Sequence, residues 1–97
     1  MRLAYHRLAI QDIRGILDHY ENVSGIELAN RFFDGLIATI RKATDNPKFF
    51  PASEDARRRA NLPAFPYHFI FEENLHGIRI LIVKHHRRSP EFGGRRK

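Results

Sequence analysis

Histidine and arginine are the side chains of this 97-residue sequence whose types and placement could do chemistry. His68, His85 and His86 fall in or beside the last two strand-like segments, with Arg57-Arg58-Arg59 ahead of them and Arg79, Arg87 and Arg88 between or after. A guanidinium holds phosphate or carboxylate oxygens through paired N–H donors. An imidazole moves protons near neutral pH. Gathered on one surface, these groups suit a polyanion or an acidic protein segment, with a histidine placed to act as acid or base. Other chemistries find less. The chain has no cysteine, and Ser24, Ser53 and Ser89 read as a cap, a loop residue and a turn residue. His85 and His86 are neighbours on a strand end and point to opposite faces, so they cannot chelate one ion together. His6, His19 and His76 show no ligand spacing, and Gly93-Gly94 precedes no helical pattern that would make a phosphate loop. Neither a metal nor another cofactor is expected.

Charge supports a directed surface. Seventeen Lys and Arg against eleven Asp and Glu leave a formal charge of +6. Residues 84–97 hold Lys84, Arg87, Arg88, Arg95, Arg96 and Lys97 against Glu91 alone, so most of the excess lies at one end. The consecutive Arg57, Arg58 and Arg59 form a second cluster on an otherwise nearly neutral body. Such a distribution marks a polyanion or an acidic partner.

The elements that position these groups follow from periodicity. Leu3-Ala4-Tyr5 reads as a short strand. From Ala9, the residues Ile13, Ile16, Leu17 and Tyr20 recur at helical spacing, and that helix is expected to fail near Asn22. Ser24-Gly25-Ile26-Glu27 reads as a capping box. Ala29, Phe32, Phe33, Leu36, Ile37, Ile40 and Ala43 then form an apolar stripe over four turns, closed by Asn46-Pro47. The short link makes the two helices an antiparallel hairpin. A loop over 48–56, with Phe49 and Phe50 tucked beneath it, leads to strands at Arg58 to Leu62, Tyr67 to Phe71 and Ile78 to Lys84. The fold class is α+β, an antiparallel sheet packed against an α-helical hairpin in the order β-α-α-β-β-β. On the last strand Ile80 and Ile82 are expected to face the helices, which would send Arg79 and His85 to the open face. His68 joins them there if Phe69 and Phe71 are the buried pair.

Length and a 42% hydrophobic fraction fit one modest core, so residues 1–97 read as a single domain with a basic tail over 86–97. The tail is expected to be disordered or to fold against a partner. No apolar run long enough to span a membrane and no signal-peptide pattern is present. A soluble, cytoplasmic protein without membrane association is the expectation.

Several segments together resemble the RelE/ParE family of bacterial type II toxins. They are Arg58 to Leu62, Phe65-Pro66-Tyr67, and the run Ile80-Leu81-Ile82-Val83-Lys84-His85-His86-Arg87-Arg88-Ser89-Pro90. Tyr5-His6, Ala9, Asp12-Ile13 and Asn46-Pro47 fit as well, whereas Arg7 stands where the family often has proline. The resemblance implies the strand, helical hairpin and three-strand order read above. It implies a cognate antitoxin that wraps an acidic or amphipathic segment around the toxin in a hetero-oligomer. ParE-like members arrest growth by binding DNA gyrase, whereas RelE-like members cut mRNA on the ribosome with basic residues and commonly a tyrosine near the C-terminus. Arg88 matches a phosphate-binding arginine of the nucleases, but Phe92 stands where their tyrosine would be, and its ring has no hydroxyl. The expectation is therefore ParE-like binding, through Arg57, Arg58, Arg59, His68, Arg79, Arg87 and Arg88. The alternatives are a ribosome-dependent endoribonuclease, with His85, His86 and Arg88 catalytic and Arg58 assisting, and an inactive member acting as antitoxin partner or co-repressor.

Overall fold

The computed structural model describes residues 2–97. Its elements are β1 (Arg2–Tyr5), α1 (Arg7–Ser24), α2 (Ile26–Asp45), a 3-10 turn over Pro47–Phe49, β2 (Arg57–Asn61), β3 (Tyr67–Asn74) and β4 (Gly77–His85). The α+β class and the element order are those expected. The sheet runs β1-β4-β3-β2, with β2, β3 and β4 antiparallel and β1 added parallel to β4, so the sheet is mixed rather than wholly antiparallel. No helix among the described residues is long and apolar enough to cross a membrane.

The helical hairpin is tighter than the sequence suggests. α1 starts directly after His6, whose ring Nδ1 accepts from the Leu8 N–H at 3.1 Å. It then runs through Ser24, leaving Gly25 as the whole link. Gly25 lies at φ 93°, a conformation open to a residue without Cβ, and its N–H closes α1 on the Glu21 carbonyl at 3.1 Å. Ser24 therefore stays inside the last turn of α1, and the expected Ser24–Glu27 capping box does not form: α2 has no side-chain cap. From α2, Phe32, Leu36, Ile40 and Ala43 enter the core with Phe69, Phe71, Ile78, Ile80 and Val83 of the sheet. Two aromatics depart from expectation. Phe33 is exposed at the border of the stripe, and of the loop pair only Phe50 is buried. Phe49 lies outside, beneath the Lys42 ammonium at 4.0 Å.

The registration of β4 matters most for function. Phe71 pairs with Ile80 but Ile70 pairs with Ile82, so Leu81 is an extra residue in a bulge. Past it the alternation is reversed. Ile80 faces the helices as expected, but Ile82 lies on the open face opposite Ile70, and Val83 takes the inward place. Lys84 and His86 consequently share the open face, and His85 does not.

Candidate functional site

On β3 the core takes Tyr67, Phe69 and Phe71, which turns His68 and Ile70 to the opposite face. His68 is 2% exposed and meets His86 there, Nδ1 to Nδ1 at 2.9 Å, with ring planes 16° apart. Arg59 on β2 brings Nη2 to 3.4 Å from the same His86 nitrogen. A guanidinium can only donate, so His86 Nδ1 is the acceptor and His68 Nδ1 carries the proton. Protonating His86 at Nδ1 would set that nitrogen against the Arg59 guanidinium, so His86 accepts there as a neutral ring. Burial, then the charge of Arg59, then His86 push His68 down to about 4. His86 is lowered by burial first, then by Arg59 and His85. Lys84, beside them, is lowered by burial and Arg59.

The remaining basic residues divide by what they already hold. Arg58 pairs in register with Phe71, which carries it to the helix side; there it donates to the Phe50 carbonyl at 2.7 Å and approaches Glu73 at 3.8 Å. Its guanidinium is thus engaged away from the histidine pair, although Arg58 also borders the open face. Arg57 and Arg79 do lie on the open face, but Arg57 donates to the Gly94 and Arg96 carbonyls and Arg79 to that of Lys97. Arg88 stacks on the Phe92 ring at 4.2 Å, with Arg96 on the same ring at 5.1 Å. His85 packs edge-on to Tyr67 at 5.1 Å, and its Nδ1 accepts the Arg87 N–H at 3.0 Å. The expectation that His85 points to the open face is thus corrected by the Leu81 bulge. Among the described residues the ion pairs involve Arg57, Arg58, Arg79 and Arg96, so Arg59, Lys84, Arg87 and Arg88 have no carboxylate partner.

Next to the histidine pair, which does not line it, lies a cleft of about 410 Å³ floored by Ile70 and Ile82 and edged by Arg57, Arg58, Arg59, Lys84 and the tail at Gly94. The tail is folded on its own sheet rather than loose. Gly93, at φ 75°, lies so close to Ile82 that a Cβ there would stand 2.7 Å from its Cγ1. Uncompensated positive charge beside neutral imidazoles suits an anionic oxygen ligand, whose charge would favour protonation of Lys84 and the histidines. Among the described residues no three His, Cys, Asp or Glu are grouped to hold a metal ion.

Two residues that organise this end of the molecule escaped the sequence reading. Asp12 lies on α1 and Arg96 in the basic tail. They form a bidentate ion pair at 2.5 and 3.1 Å, both about nine-tenths buried. A contact across 84 positions leaves no local periodic signal.

Neither a protein-family model nor a curated protein sequence matches the chain. Among solved structures, a chain of the chromosomal ParDE TA system from P. aeruginosa is similar to it, with a TM-score of 0.77 at 24% identity over 88% of this chain and 95% of that one. At that identity the likeness shows a shared fold.

Proposed function

We propose that this chain is the toxin of a type II toxin–antitoxin pair of the RelE/ParE kind. In this reading it arrests growth by binding DNA gyrase in the ParE manner and is neutralised by a cognate antitoxin in a hetero-oligomer. The observation that carries the reading is the fold shared over nearly the full length with a chain of a ParDE system. The tail supports the binding mode over a cutting one. By the resemblance Phe92 stands where the nucleases have tyrosine; its ring carries Arg88 and Arg96 and neither gives nor takes a proton. A role in plasmid stabilisation belongs to the same proposal.

One observation favours a second reading, a ribosome-dependent endoribonuclease. Beside Arg59 and Lys84, cations that would hold a phosphodiester, stands His86, whose pKa burial and Arg59 lower and whose Nδ1 would take a proton once released from His68. Expression in a bacterium with and without the candidate antitoxin, scored for growth, gyrase supercoiling and mRNA integrity, separates the readings. Arrest with blocked supercoiling and intact mRNA, relieved by the antitoxin, is expected. Cleaved mRNA with normal supercoiling replaces the first reading by the second. Absence of arrest removes both and leaves a partner or co-repressor role.

A further inference from the structure

We infer that Asp12 and Arg96 form a latch that holds β4 in its bulged register and so determines which of two adjacent histidines reaches the open face. The inference takes that face as the functional surface, but its test reads the register directly and does not depend on toxicity.

β1 covers the outer edge of β4 only as far as Ile80. The His76 carbonyl accepts from Arg2 and the Ile80 carbonyl from His6, so even-numbered residues turn their backbone groups toward β1. Continued without a bulge, that period of two would aim Ile82 outward and Val83 toward β3. The extra Leu81 reverses it. The Val83 N–H now points outward and donates to Asp12 Oδ2 at 3.1 Å, while the Leu81 carbonyl accepts from Arg96 Nη1 at 2.9 Å. The same Nη1 bonds Asp12 Oδ2 at 2.5 Å, and Nη2 bonds Oδ1 at 3.1 Å. One carboxylate from α1 and one guanidinium from the tail thus take the place of the missing neighbouring strand at the bulge and just beyond it. An unbulged strand would turn the Val83 N–H away from Asp12, leaving the buried carboxylate short of a donor. The reversal that presents this N–H to Asp12 is also the one that places His86, rather than His85, against His68. Asp12 and Arg96 are therefore positioning residues for the histidine pair, which neither of them touches.

Imidazole NMR on the full chain tests this. The wild type should show a ring cross-peak between His68 and His86. In Asp12→Ala and Arg96→Ala it should be lost and replaced by one between His68 and His85, while the resonances of Phe32 and Leu36 in the helical hairpin persist. The double variant should resemble the single ones. Asp12→Asn keeps an acceptor for Val83 and should retain part of the wild-type cross-peak; Arg96→Lys keeps a cation but not the planar fork and should also be intermediate. A merely structural pair would lower the denaturation midpoint without exchanging the histidines, and that result overturns the inference. Complete unfolding of all four single variants also overturns it, since the pair would then hold the fold and not the register.

Discussion

On the helix side of the sheet Phe69, Phe71, Ile78, Ile80 and Val83 are sealed by α1 and α2, apolar against apolar. On the other side His86 stacks on His68, and Ile70 and Ile82 lie under Arg57, Arg59, Lys84 and the short tail. Both faces bury side chains almost completely, yet only the open one buries an imidazole beside unpaired cations. Apolar burial on the helix side accounts for folding. A nearly buried histidine kept neutral against its own titration adds nothing comparable to stability. Where a sequence departs from the choice that would stabilise most, a functional demand is the usual cause.

The contrast predicts unequal responses to truncation. Phe69→Ala should destabilise the fold by about 3–5 kcal/mol, because the surrounding aromatic and aliphatic groups cannot collapse into the vacated volume. Ile82→Ala, equally buried but under the tail, should cost about half as much, since the tail can settle onto the smaller side chain. Urea denaturation of the two variants measures both. Equal losses would mean that the tail is packed as rigidly as α2 and that the two faces do not differ in kind.

Titration sharpens the same contrast. His68 has a folded-state value of about 4, below the 6.5 of an unconstrained histidine. Between those values the unfolded chain binds a proton that the folded chain refuses. Stability present at pH 7 therefore declines as pH falls through 6.5 toward 4, by up to about 3 kcal/mol. His86 is shifted in the same direction and adds to the decline. Carboxylates titrate nearby, so the informative quantity is the difference between wild type and His68→Phe. The variant should lose most of the decline between pH 6.5 and 4.5; parallel curves would place the acid sensitivity elsewhere.

The helix side was legible in the sequence because it is periodic. The stripe from Ala29 to Ala43 and the Phe69–Phe71 alternation identify the hairpin, the strand and their buried faces. The open face was legible in composition but not in registry. In the run Ile80-Leu81-Ile82-Val83 every residue is apolar, so nothing distinguishes inward from outward, and a one-residue bulge leaves no mark. The tail excess likewise concealed Arg96, whose partner lies on the first helix. Ser24 had the side chain of a cap but lost the position to a glycine able to turn the chain in one residue.

The arginine triplet carries the contrast down to neighbouring residues. Arg58 and Arg59 are adjacent, of one type, and on opposite faces of β2. Arg58 is committed to the Phe50 carbonyl and to Glu73, contacts that tie the loop before β2 to the sheet. Its replacement by alanine should cost about 1–2 kcal/mol, the worth of a part-buried hydrogen bond from a charged donor, and leave the histidine pair intact. Arg59 has no carboxylate partner, and its charge opposes protonation of His68, His86 and Lys84. Arg59→Ala should therefore change stability by no more than about 0.5 kcal/mol while raising the pKa of all three groups, read by NMR titration. If Arg59→Ala proved the more destabilising, the open face would be part of the structural core, and its positive charge would need a structural explanation.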